Sequence, residues 1–257
     1  MLELFHWEPV GHSARVLICL HEIGVEYRSR YVDALQLEQF SDEFLELNPQ
    51  GQLPVLRADD VAMSESGLIN EFLAESFPES RLVPADAIGR YNAQVWSKFV
   101  DSHLASSLGT LGCRKYLLPV LNEYDRAALE ARIASIPVIE RRAGWQRAAA
   151  GDYDDALISN AERKVRLAVE RMEETLAGSD WLVGGAYSIA DINAFAMISG
   201  LRDACPHIVN GRDAPHTSAW ADRIAERPAV QSVLTSPDLK HRPDTVFLPG
   251  PEHSRWG

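Results

Sequence analysis

The chain has 257 residues, 46% apolar and 24% charged, enough to bury one large core or two modest ones. Its 37 acidic residues outnumber 25 basic ones, and the net charge of −12 argues against non-specific binding to nucleic acid or an anionic membrane. No apolar run reaches the ~18 residues that a membrane-spanning helix requires. Met1-Leu2-Glu3-Leu4-Phe5 carries neither a basic leader nor a long apolar segment, so no signal peptide is expected. Cys19, Cys113 and Cys205 stand far apart, without metal or redox spacing, and a cytoplasmic, reducing setting is expected.

In chain order, residues 2–6 alternate through Leu2 and Leu4 and read as a strand. A loop with Pro9 and Gly11 follows. Ser13 then precedes Val16, Leu17, Leu20 and Ile23 at helical spacing, which makes it an N-cap candidate, and Gly24 closes the helix. Residues 25–32 read as a second strand and 36–47 as helical or irregular. Asn48-Pro49-Gln50-Gly51-Gln52-Leu53-Pro54-Val55-Leu56 is a turn feeding a third strand. Proline has no N–H, so Pro54 suits only the start or edge of that strand. A cis Leu53–Pro54 bond would hold Leu53 extended, with its backbone groups facing outward for a peptide to pair with. Asp59-Asp60 turns the chain into a short fourth strand. Ser64-Glu65-Ser66 then stands before Leu68, Ile69, Phe72 and Leu73 and reads as a helix start, whose free N–H groups suit a carboxylate.

Residues 77–84 form a Pro-punctuated linker, after which strand signals nearly vanish. Tyr91, Val95, Trp96, Phe99, Val100, His103 and Leu104 repeat at three and four, and Pro119 is expected to break the helical pattern at residues 117–122. Residues 124–148 read as helical apart from a break at Ile136-Pro137. Val165, Ala168, Val169, Met172 and Leu176 make the clearest helical stripe. Ser188 and Asp191 form a capping box, with Tyr187 and Ile192 at the staple positions. Two short helices follow, and residues 237–257 are expected to form a loosely ordered strap.

The Asn48–Leu56 turn, the Glu65-Ser66 pair and Ser188-Ile189-Ala190-Asp191, in this order and spacing, resemble the cytosolic glutathione transferases over roughly residues 2–235. Residues 136–140, 169–176 and 181–193 are also similar to bacterial glutathione-dependent β-etherases, which cleave aryl ethers. The resemblance implies an α/β plus all-α fold. A thioredoxin-like glutathione-binding domain (1–78) and a linker (79–86) would precede an all-helical domain (87–236) with the electrophile pocket, and then the tail (237–257). It implies glutathione as co-substrate, an apolar electrophile as second partner and a homodimer.

Residue by residue, Glu65 matches the family's carboxylate for the γ-glutamyl ammonium, and Ser66 the donor to its carboxylate. Leu53, held by the bend at Pro54, carries the backbone pairing to the cysteinyl unit. Gln39 falls where relatives contact the glycyl carboxylate, Gln52 is a further contact, and Phe40 departs from a position often basic in relatives. Ser13 is expected to stabilise the glutathione thiolate, with His12 as the alternative in the same loop. Trp96, Phe99, His103, Tyr116 and Trp145 are candidate lining for the electrophile pocket, and Asp191 is assigned to folding. The other readings are a binding or scaffold protein on the same fold and a glutathione-dependent isomerase or dehalogenase.

Overall fold

The computed structural model describes residues 1–236, so the expected strap at 237–257 lies outside the described residues. A four-stranded sheet has the order β2-β1-β3-β4. Strand β1 (Leu2–His6) runs parallel to β2 (Arg28–Tyr31) and antiparallel to β3 (Val55–Ala58), which pairs in a hairpin with β4 (Val61–Met63). Because strand side chains alternate faces, Leu4 and Leu56 meet Val16, Leu20, Ile69 and Leu73 of helices α1 (Gly11–Ile23) and α3 (Ser66–Ser76). Phe5 and Val55 meet Phe44 of the short α2 (Asp42–Leu47) on the other face. This is the expected thioredoxin-like domain.

Two local expectations are corrected. Ser13 does not cap α1: the N-cap is Val10, and Ser13 lies inside the first turn. Gly11, at φ +57, turns the chain into the helix three residues early. The second strand pairs only over Arg28–Tyr31, because Val25 and Tyr27 pack against the helical core instead of extending the ladder.

The rest of the described chain is helical. α4 (Ala87–Val100) continues through a π segment (Asp101–Ala105) into α5 (Ser106–Gly112), and through a second π segment (Cys113–Leu117) into α6 (Leu118–Leu121). Pro119 therefore does not break the helix where expected. It sits in the first turn after a π segment, where the regular ladder is already interrupted and its missing N–H costs little. α7 (Arg126–Ala134) and α8 (Ile139–Ala150) flank the expected break, and α9 (Asp155–Leu176) buries the whole Val165–Leu176 stripe.

α10 (Ile189–Ala204) is the centre of the second domain, buried without interruption from Ile189 to Ile198. A helix apolar on all sides belongs in a core. The capping box forms at its start, and Asp191 also accepts from the N–H of Leu182 and the indole of Trp220, both at 2.9 Å. Gly200 lets the helix approach its neighbours closely, since a Cβ there would lie 2.8 Å from Leu108 and 3.6 Å from Val10. α11 (Pro215–Ala225) and α12 (Pro228–Leu234) complete the layer, with α12 against α1. Among the described residues, no helix is long and apolar enough to cross a membrane.

Candidate functional site

The sheet register gathers the candidate residues at one end. Phe5 pairs with Val55, His6 with Tyr31, and Leu56 with Met63. The chain leaving β1, the turns after β2, the entry to β3 and the exit of β4 therefore share an edge of the sheet. His12, Ser13, Gln39, Gln52, Leu53, Pro54, Glu65 and Ser66 all fall on those segments.

The Leu53–Pro54 peptide bond is cis, as expected. Asn48 builds the turn before it: its side chain accepts from the N–H of Gln50 at 3.1 Å and donates to the carbonyl of Gln52 at 3.0 Å. Gly51, at φ +59, closes the turn against the Phe40 ring, where a Cβ would sit 2.5 Å away. On the opposite segment Glu65 adopts φ +69. A non-glycine residue held there is costly. Ser66 begins α3 and is buried.

A cleft of about 370 Å3 opens above Ser66. From the first domain it is lined by His12, Arg15, Glu65, Ser66 and Glu71, and from the helical domain by Gln94, Ser97, Lys98 and Asp101. Arg15 forms its floor and is 0% exposed. Its guanidinium donates to Asp101 at 2.5 Å, to Ser66 Oγ at 3.3 Å and to the carbonyl of Asn193 at 3.2 Å. Its Nη2 has no hydrogen-bond partner among the described residues. Asn70 ties this floor down, donating to the Arg15 carbonyl and to Asn193, which in turn donates to Ser97. The Nδ1 of His12 stands 2.7 Å from Ser66 Oγ. Burial first, then the charges of Arg15 and Arg141, hold His12 well below its ordinary pKa. It is neutral at pH 7. Burial pushes the Glu71 carboxyl up, against its hydrogen bond with Gln94. Donors on the floor and carboxylates at the rim suit a ligand end with both a carboxylate and an ammonium.

Ser13 lies deeper, 5% exposed, where its Oγ accepts from the N–H of Trp7 at 3.2 Å. That acceptor role leaves the hydroxyl proton as the donor. Gln39 is fully buried, and neither amide atom has a hydrogen-bond partner among the described residues. Leu53 and Phe40 pack into an apolar cluster joining the two domains through Trp7, Leu35, Leu117, Ile133 and Trp145. Of the five aromatic candidates, Trp145 alone belongs to this cluster's buried core. Trp96 and Phe99 sit under Arg171, each 4.4 Å from its guanidinium carbon, and His103 stacks on Phe99. Tyr116 borders the cluster, with its hydroxyl on Asp203.

Arg15 and Asp101 are the members that the sequence reading missed. The available signal was a lone arginine inside the apolar run of α1, since a buried arginine demands a carboxylate partner. Among the described residues, no group of three or more His, Cys, Asp or Glu is placed to hold a metal ion.

Residues 11–76 match the model of the glutathione S-transferase N-terminal domain, and residues 127–228 that of the C-terminal domain. The chain is 35% identical over 239 residues to the protein LigF of Sphingobium sp., covering 91% of this chain and 93% of that one. The crystal structure of the β-etherase LigF superposes with a TM-score of 0.84, covering 90% of this chain and 98% of that one. Glutathione S-transferase GstA of Escherichia coli O157:H7 is 26% identical over 242 residues, covering 93% of this chain and all of that one.

Proposed function

The chain belongs to the glutathione S-transferase family, transferases that use glutathione as co-substrate, and on that premise we propose that it activates the glutathione thiol for attack on an apolar aromatic electrophile. The observation that carries this reading is the cleft at the start of α3, with the Ser66 hydroxyl and the Arg15 guanidinium in its floor and Glu65 at its rim. There the γ-glutamyl carboxylate takes Ser66 and its ammonium takes Glu65. Leu53 and Pro54 pair with the cysteinyl backbone, with Gln52 beside them, and Gln39 serves the glycyl carboxylate.

Thiols are only slightly ionised at neutral pH, and the thiolate is the nucleophile. Ser13, its oxygen already taken by the Trp7 N–H, turns its proton to the sulfur in the first turn of α1. Similarity to a β-etherase supports an aryl ether as the electrophile. In that reaction the sulfur forms a bond to an sp3 carbon, the carbon–oxygen bond breaks, and its electron pair leaves with the phenolate. The phenolate then takes up the proton that the thiol released to solvent.

Exposed Leu68 and Phe72 on α3, with Ile88 and Tyr91 on α4, support a homodimer through this face. Light scattering is expected to give twice the chain mass, and Leu68→Asp with Tyr91→Asp to give the monomer. The three cysteines are buried and, among the described residues, form no disulfide, which fits a reducing, cytoplasmic setting.

Turnover of a β-aryl ether and of chlorodinitrobenzene tests the reaction. Ser13→Ala is expected to lower kcat by roughly a hundredfold, the usual effect of removing one anion-stabilising donor, while glutathione affinity holds. Unchanged turnover removes Ser13 from the chemistry. A folded protein inert toward both substrates is a binding protein, not a transferase.

A further inference from the structure

The oxygen of Ser66 has two lone pairs and one proton. Arg15 Nη1, which can only donate, takes one lone pair at 3.3 Å. His12 Nδ1, at 2.7 Å, either accepts the hydroxyl proton or donates to the second lone pair. The two arrangements differ in what they offer a ligand. If Nδ1 accepts, the only proton of Ser66 points away from the cleft, and an arriving carboxylate meets a hydroxyl with nothing to give. If Nδ1 donates, both lone pairs are filled and the proton is forced toward the cleft.

We propose that His12 is a positioning residue of the carboxylate anchor, donating from Nδ1 to Ser66 Oγ so that, with Arg15, it aims the serine proton at the incoming carboxylate. This rests on the transferase reading for the identity of the ligand. The geometry around the ring supports it independently. His12 lines the cleft, Arg15 beneath it is fully buried, and the spare Nη2 of Arg15 gives the floor a second donor with no acceptor among the described residues. Burial, and then the charges of Arg15 on α1 and Arg141 on α8, keep the ring from becoming an imidazolium, so it carries a single proton. Placed on Nδ1, that proton fills the second lone pair of Ser66 while Arg15 Nη1 holds the first. Glu65, Glu71 and Asp101 at the rim and Lys98 across from them complete the charged groups lining the cleft. The role differs from thiol activation, because it acts at the far end of the tripeptide from the sulfur.

The test uses S-methylglutathione, which has no titrating thiol, so the anchor alone is read. By calorimetry at pH 7, His12→Leu is expected to raise Kd about tenfold, the effect of one hydrogen bond of ordinary net strength. His12→Asn, whose amide can donate from nearly the position of Nδ1, is expected to recover most of that loss. In the wild-type complex, 15N spectra of the imidazole are expected to show Nδ1 protonated. Thermal melts of the ligand-free variants separate a lost anchor from a lost fold. Wild-type binding with His12→Leu within twofold of it, or an unprotonated Nδ1 in the complex, overturns the His12 role alone. A wild-type protein that does not bind S-methylglutathione overturns the transferase reading and this role together.

Discussion

The polar floor under Ser66 and the apolar cluster around Trp145 join the same two domains by opposite means. In the first, Arg15, Asn70, Asn193, Ser97 and Asp101 hydrogen-bond to one another across the boundary, with Arg15 Nη2 and Asn70 Oδ1 left over among the described residues. In the second, Trp7, Leu35, Leu117 and Trp145 exclude water, and among the described residues the indole N–H of Trp145 has no hydrogen-bond partner. Apolar burial is non-directional and supplies adhesion. A hydrogen-bonded buried network adds little net energy but penalises every other arrangement. Adhesion between the domains and the aim of the binding groups come from different side chains. They should therefore fail separately.

Trp145→Ala is the strongest test of the adhesive side. Removing a fully buried indole is expected to cost about 3–5 kcal/mol, read by urea unfolding. A loss under ~1 kcal/mol would mean that the cluster does not hold the domains. On the polar side, Arg15→Met leaves Asp101 and Asn193 without their donor and is expected to cost about 3 kcal/mol. Arg15→Met should also weaken S-methylglutathione binding. Stability lost with affinity retained would separate Arg15 from the site.

Acid sharpens the contrast further. Folded His12 stays neutral below its ordinary pKa of 6.5, while the unfolded chain takes up the proton there. The unfolded state then binds more protons, so stability falls as pH drops below 6.5, by up to about 1.4 kcal/mol per pH unit, and is constant above it. His21, also lowered by burial, adds a slope of the same sign. His12→Asn is expected to flatten the decline without abolishing it, and an unchanged slope between pH 6.5 and pH 5.5 would contradict the neutral buried ring.

The smallest effect is expected at Gln39. Replacing an amide with no partner by Leu should stabilise the ligand-free protein by about 1 kcal/mol. If Gln39 serves the glycyl carboxylate, the same change raises the KM for glutathione. A melt and a titration on one sample read both signs.

Much of the fold was legible because its signals are local. The strand and helix order of the first domain, the bend at Pro54, the capping box at Ser188 and the Val165–Leu176 stripe depend on a few residues of nearby chain. Ser13 was misread as a cap because serine favours that position, and only the Gly11 turn moved the helix start. Pro119 was misread because proline ends a regular helix, whereas here the preceding π segment accommodates it. Trp96 and Phe99 were grouped with Trp145 by residue type, while Arg171 takes them elsewhere.

The sequence by itself determined two domains, a thioredoxin-like sheet with its fixed bend, and the serine and glutamate at the start of α3. Periodicity, proline and capping act over a turn or two of chain, so their meaning survives without coordinates. Only the tertiary structure decided what surrounds that serine. Arg15 meets Asp101 across 86 residues and Asn193 across 178, and His12 meets Ser66 across 54. No local pattern encodes such pairings, because a buried charge is matched by whichever partner the packed fold brings within reach.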